Sequence, residues 1–316
     1  MQTRPSEPKI DRNLTLHLRG DWGAANLHRI CGWISQELID RAGPATRIAI
    51  WNGRGGTDAI HAVGRGEVDI ALTTPAAFAA AALDGRGVYT DTPYPQLRAL
   101  GTIPHRDRLV LAVNKSLGIT TFAELRAGAP QLRLATGPND GINNTGLAAH
   151  TVLDRAGIDV TAWGGEFLPD ERPFGSFAHI LSGRANAIFQ EAIMFPAWQQ
   201  FAPNYNFLPI EDPILTALES AYSWPPATIP AAYFPGAAPI RTLDFADFLL
   251  LTTTALPDDL AYAVAWTLGE TRHHFEAQYH HLPPELSPIT YPLDPPTMGH
   301  TPIPLHPAAA HYYEAL

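Results

Sequence analysis

The chain has 316 residues, 46% hydrophobic and 16% charged, enough for two compact units and far from a disordered composition. Its formal net charge of -10 excludes a nucleic-acid binder, whose phosphate contacts need clustered lysine and arginine. Cys31 is the single cysteine, which excludes an internal disulfide and every cysteine-built zinc or iron–sulfur site.

Residues 1–13 are rich in proline and charge, with no apolar stretch of about 7–15 residues, so no leader segment is read there. The expected location is extracytoplasmic (periplasmic) if a leader has been removed and cytoplasmic if Met1 is the native start. No segment approaches the roughly 20 apolar residues that span a bilayer.

Leu14-Thr15-Leu16-His17-Leu18 alternates as a strand, and Gly20-Asp21-Trp22-Gly23 turns it into an amphipathic helix over 27–42, with Cys31 as a buried small side chain. Arg47-Ile48-Ala49-Ile50-Trp51 is a second strand. Asn52-Gly53-Arg54-Gly55-Gly56-Thr57-Asp58 leads into a helix through Val63, and Asp69-Ile70-Ala71-Leu72-Thr73-Thr74 is a third strand. A glycine-lined loop at a helix start has the form of an anion cradle. It lacks the lysine and the complete Gly-x-Gly-x-x-Gly of nucleotide sites, so it suits a carboxylate, with Thr57 and Arg54 as further donors. Trp22 and Trp51 end the first two strands and are expected as an apolar pocket wall or as core.

A second unit begins near Arg108. Leu109-Val110-Leu111-Ala112-Val113 reads as a strand, Thr121-Phe122-Ala123-Glu124-Leu125 opens a short helix, and Leu132-Arg133-Leu134-Ala135-Thr136 is the next strand. Gly137-Pro138-Asn139-Asp140-Gly141-Ile142-Asn143-Asn144-Thr145 then enters a helix to about Ala156. An internal echo links the two units. Gly66-Glu67-Val68-Asp69-Ile70-Ala71-Leu72 and Gly183-Arg184-Ala185-Asn186-Ala187-Ile188-Phe189 each follow a helix bearing a histidine, His61 and His179. Glycine suits the left-handed end of a helix, and Asp or Asn can bond the turn.

After Pro209, prolines at 213, 225, 226, 230, 235 and 239 break up the path. Residues 249–254 read as a strand, and Pro257-Asp258-Asp259-Leu260 starts a helix expected to run to about His281. His273-His274 and His280-His281 would then lie about 10 Å apart along the axis, too far for one ion. No His-Glu-x-x-His motif occurs, so a solvated face and no metal are expected.

Strands alternating with helices indicate a parallel α/β sheet, in which ligands gather at the carboxyl ends of the strands. The candidate ligand contacts are therefore Asp21, Trp22, Asn52, Arg54, Thr57, Thr73, Asn139, Asn143, Thr145 and Glu191.

Six segments in order resemble the TAXI family, the solute-receptor subunits of one class of TRAP transporters. They are the turn Gly20-Asp21-Trp22-Gly23, Gly55-Gly56-Thr57 with Gly66-Glu67-Val68-Asp69-Ile70-Ala71, Ile119-Thr120-Thr121-Phe122-Ala123-Glu124-Leu125, and residues 137–145. The more specific ones are Pro226-Ala227-Thr228-Ile229-Pro230-Ala231-Ala232-Tyr233-Phe234-Pro235-Gly236 and the tail Pro302-Ile303-Pro304-Leu305-His306-Pro307-Ala308-Ala309 before Tyr312-Tyr313. The resemblance implies an α/β, two-lobed periplasmic-binding-protein-like fold of type II with a ligand cleft between the lobes. Residues 12–105 would form the first part of lobe 1, 106–209 lobe 2, and 210–316 the return to lobe 1 with C-terminal helices. It further implies a monomer without cofactor that binds one small organic solute, a carboxylate or an amine-bearing molecule, and meets TRAP membrane subunits. Asp21-Trp22, the amide-rich run 139–145 and Gln190-Glu191-Ala192 depart from the family pattern. Added acids suit an amine-bearing or polyhydroxylated ligand, because paired buried like charges are unfavourable. The alternative is a cytoplasmic enzyme on the same fold, of decarboxylase or dehydratase type, in which Glu191 or Asp21 would hold a proton as general acid.

Overall fold

β1 (Thr15–Arg19) buries Leu16 and Leu18 and pairs in parallel with β2 (Arg47–Trp51) and β3 (Ile70–Thr73). The computed structural model describes residues 5–23, 25–193, 195–231, 233–284 and 287–316. It divides into two units, Met1–Arg106 with Ala246–Leu316, and Asp107–Phe245. In the first unit α1 (Asn26–Arg41) links β1 to β2 and buries Leu27, Ile30, Ile34 and Leu38, a stripe at helical spacing. α2 (Gly56–Gly64) links β2 to β3, and α3 (Ala79–Asp84) precedes β4 (Leu97–Ile103). Trp51 is not core. It lies 52% exposed on the edge strand β2, and its indole N–H donates to His17 Nδ1 at 2.9 Å.

The second unit holds β5 (Arg108–Asn114), α4 (Phe122–Gly128), β6 (Arg133–Thr136), α5 (Asn144–Arg155), β7 (Glu166–Pro169), α6 (Pro173–Leu181) and β8 (Ala187–Glu191). It continues through α7 (Trp198–Phe201), β9 (Tyr205–Leu208), α8 (Asp212–Tyr222), β10 (Pro226–Ile229) and β11 (Ile240–Asp244). Its sheet runs β10-β11-β5-β8-β6-β7, with β9 also on β5. The chain therefore does not return to the first unit after Pro209: residues 210–245 stay in the second, with β11 antiparallel to β5 and the Ile210 amide bonded to Arg241. The prolines that suggested a crossing have local uses. Pro213 sits in the first turn of α8, where its missing N–H costs nothing, and Pro226 starts an edge strand.

β12 (Phe248–Thr253) re-enters the first unit between β3 and β4, antiparallel to both, giving the order β2-β1-β3-β12-β4. A central strand is covered on both faces, which is why Phe248-Leu249-Leu250-Leu251 reads as a continuous apolar run. The helix expected to reach residue 281 is instead α9 (Asp258–Glu270) and α10 (Arg272–Glu276), followed by turns. Thr271 breaks it. Its hydroxyl donates to the Thr267 carbonyl at 2.9 Å and accepts the Trp33 indole N–H at 3.0 Å, a tertiary bond that overrides helix continuation. After α11 (Pro295–Met298), the tail pairs with the outer edge of β4 through Ala99, and α12 (Pro307–Glu314) docks on α9. His306 caps α12, Tyr312 bonds Glu270 at 3.2 Å and Tyr313 bonds the Leu100 carbonyl at 3.1 Å. The tail thus covers a sheet edge that would otherwise stay open. No helix among the described residues is long and apolar enough to cross a membrane.

The internal echo has a physical basis. Gly66 and Gly183 both take left-handed backbone angles after their helices, φ 70° and 73°. The Asp69 carboxylate accepts the His17 amide at 2.7 Å, and the Asn186 side-chain carbonyl accepts the Arg133 amide, also at 2.7 Å. Each adds a side-chain rung where a strand enters its sheet. Replacing Asp69 or Asn186 by alanine should each lower stability by about 1 kcal/mol in urea denaturation; no shift in midpoint for either would mean the rung contributes nothing.

Candidate functional site

Each of the two units carries its own set of candidate residues. In the first, the parallel pairing of β1, β2 and β3 brings their carboxyl ends side by side. The turn 20–23 and the turn after β2 interlock: the Gly53 amide donates to the Asp21 carbonyl at 3.0 Å, and Gly23 packs on Asn52. Asp21 is fully buried. Its Oδ1 accepts the Gly23 amide at 3.2 Å, while Oδ2 has no partner among the described residues. Burial holds its pKa above the usual carboxylate range, opposed by the Gly23 amide and by His28. The Trp22 indole nitrogen and His28 Nδ1 are also buried without partners among the described residues. Cys31, one turn beyond His28, is pushed up to about 12 by burial and then by the charge of Asp21, so it is an inert core thiol.

The expected anion cradle at 52–58 is filled from within. Asp58 Oδ2 accepts the Arg54 amide at 2.8 Å and the Arg19 guanidinium at 2.6 Å, so a carboxylate of the chain occupies the place foreseen for a ligand's. Thr57 is buried in the first turn of α2 beside Tyr89, and Thr73 donates its hydroxyl to the Gly56 carbonyl at 3.0 Å. All six first-unit candidates therefore lie at the carboxyl ends of β1–β3. Asp21 and Trp22 carry unpartnered atoms; Thr73 is engaged within the fold.

In the second unit, the loop after β6 folds tightly onto α5. A Cβ on Gly146 would lie 2.1 Å from the Pro138 carbonyl oxygen, so glycine is required for this approach. Asn143 caps α5 by accepting the Gly146 amide at 2.9 Å, and its Nδ2 donates to Glu171, which occupies both ends of its amide. The Thr145 hydroxyl reaches Glu191 Oε1 at 3.5 Å. Asn139 lies apart, lining a groove of about 600 Å3 with His150, Asp154, Arg155 and Tyr222. The structure thus brings Thr145 and Glu191 together and leaves Asn139 elsewhere.

The residues around Glu191 were not foreseen. Trp198 donates its indole N–H to the Glu191 carbonyl at 2.7 Å, and Gln190 accepts the Glu191 amide at 3.1 Å. Tyr233, from the segment 226–236, donates to the Ile193 carbonyl at 3.2 Å. Asp107, buried at the start of β5, accepts the amides of Ala192 and Ile193. Among the described residues no three His, Cys, Asp or Glu side chains converge as a metal site.

The sequence profile described as the NMT1-like family matches residues 29–315. No curated protein matches the chain. Among solved structures, one described as a periplasmic transporter is similar at 13% identity and a TM-score of 0.51, over 95% of this chain and 93% of that one. A Xanthomonas citri protein bound to ATP is similar at 13% identity and a TM-score of 0.54, over 95% and 98% of the two chains. At such identities the likeness establishes the fold, a mixed α/β two-sheet fold of the periplasmic binding proteins.

Proposed function

The chain belongs to the NMT1-like family, and on that premise we propose that it is a solute-binding protein of transporter type, similar to the TAXI receptors of TRAP systems. It holds one small organic solute, with the Asp21 set of the first unit and the Glu191 set of the second as the candidate binding residues, and works outside the cytoplasm beside membrane subunits. The observation that carries this reading is the set of buried polar atoms after β1 that have no partner among the described residues: Asp21 Oδ2, Trp22 Nε1 and His28 Nδ1. Each such group costs about 1–3 kcal/mol if left unpaired, so a set of them at the carboxyl end of a strand supports a place where a solute completes the bonding. One acceptor and two ring nitrogens suit a solute that carries both a donor group and an acceptor.

Thermal-shift screening with carboxylates, amino acids, polyols and aromatic acids is the direct test, since a ligand of the folded form raises Tm by mass action. At least one class should raise Tm, and Asp21→Asn should weaken the response about tenfold in Kd. Silence of the wild-type protein to all four classes would remove the reading. The enzymatic alternative rests on the second acid beside Glu191; turnover of a bound solute, lost in Glu191→Gln, would favour it.

A further inference from the structure

Asp107 and Glu191 are 84 positions apart in the sequence, yet the antiparallel pairing of β5 with β8 sets Leu109 opposite Glu191 and brings the two acids together. Asp107 is fully buried, and its Oδ1 accepts three amides: Arg108 at 2.8 Å, Ala192 at 3.0 Å and Ile193 at 2.9 Å. Amide donors favour the charged form of a carboxylate. Glu191 is placed differently. Its side-chain neighbour is the Thr145 hydroxyl, while the Arg108 guanidinium, which lies by Asp107, is engaged with Asp244 at 2.9 Å.

Two like charges this close, with one set of amides to compensate them, hold a proton between them at neutral pH. The amides assign the charge to Asp107 and the proton to Glu191. Burial raises Asp107 to about 6 against those amides, whereas burial together with the charge of Asp107 raises Glu191 well beyond the usual carboxylate range. Among the described residues, Asp107 is the titratable group that faces Glu191; Thr145 from α5 and Trp198 from α7 do not titrate in this range.

The surroundings are donors. Ala135 and Ile188, which are register partners, both pack into the cluster with Phe177, so strand alternation turns Thr136 and Glu191 to the opposite face, toward α5. The Thr136 hydroxyl there is fully buried and has no partner among the described residues. The start of α5, whose Gly146 amide is already taken by Asn143, adds the positive end of the helix dipole.

Resting on the solute-binding reading, we propose that Glu191 serves as a neutral carboxylic acid which donates its O–H to an oxyanion of the solute, with the Thr136 hydroxyl as companion donor, the dipole of α5 as a favourable field, and Asp107 as the positioning residue that keeps the proton on Glu191. The second unit then selects a carboxylate or phosphate group, and the acid that looked repulsive in the sequence becomes a donor.

The test has two arms. In ligand-free protein labelled with 13C at the glutamate carboxyl carbons, the Glu191 signal, assigned by its loss in Glu191→Gln, should keep its protonated position at pH 7. In Asp107→Asn it should titrate nearer an ordinary glutamate; if that variant does not fold, the wild-type titration alone decides. In the second arm succinate, inorganic phosphate and 1,5-diaminopentane are compared by thermal shift between pH 6 and pH 9. An oxyanion should stabilise the protein at pH 6, with Kd rising about tenfold for each pH unit above the Glu191 titration, and Glu191→Gln should flatten that dependence. A Glu191 signal that titrates below pH 5, or a diamine that binds better than both anions, overturns the donor role while leaving solute binding intact. A protonated Glu191 with no response to any probe or to the wider solute panel overturns both.

Discussion

Trp198→Ala should lower the unfolding free energy by about 3–5 kcal/mol, the range for deleting a buried tryptophan. The indole is 1% exposed and sits among Phe177, Phe201, Phe207 and Phe234, with ring centroids 4.9–5.8 Å away. Those rings come from α6, α7, β9 and the 226–236 segment, so the cavity would open where several elements of the second unit meet. The substitution also strips the Glu191 carbonyl of its 2.7 Å hydrogen bond. Trp198→Phe should recover most of the packing but not that bond, so its remaining deficit, about 1 kcal/mol, reads the bond separately. Urea denaturation of both variants is the measurement. A loss under about 1 kcal/mol in the alanine variant would mean that the cluster does not hold the second unit together.

Local pattern was legible because local physics produces it. The alternation of Leu14-Thr15-Leu16-His17-Leu18 gave β1 to within a residue, and the glycine and acid or amide of 66–69 and 183–186 marked two strand entries that use the same side-chain rung. The run 302–309 pointed to a specific tail, although its covering of the β4 edge needed coordinates. Features set by distant pairings were not legible. Asp107 reads in sequence as a charged residue before a strand; its role comes from amides 85 and 86 positions away. The helix break at Thr271 depends on Trp33, 238 positions distant. The late return to the first unit was hidden because a proline in a first helical turn and one at an edge strand resemble a linker when only composition is read. Candidate site residues were legible as strand ends, but which of them are engaged by the fold was not. Asn143 looked like a ligand amide and caps α5, and the 52–58 loop looked open and holds Asp58.

The carboxyl pair should also be visible in stability without any ligand. Asp107 and Glu191 both ionise at higher pH in the folded protein than in the unfolded chain, where carboxyls titrate near about pH 4. The sign follows from proton counting. Between those values the folded state binds more protons, so the contribution is full below about pH 4 and is lost as pH rises through about 6 for Asp107 and higher for Glu191. Glu191→Gln keeps the shape and the donor while removing the titrating proton. Against wild type, the variant should therefore gain relative stability between pH 5 and pH 9, by on the order of 1.4 kcal/mol for each unit by which Glu191 is raised. Asp21 is raised by burial and His61, His150 and His306 are lowered by it, and these groups act on both proteins and cancel in the difference. Measuring the difference rather than the wild-type curve is what isolates the pair. A difference that stays flat from pH 5 to pH 9 would mean that Glu191 ionises like an ordinary surface acid and that Asp107 exerts no hold on it.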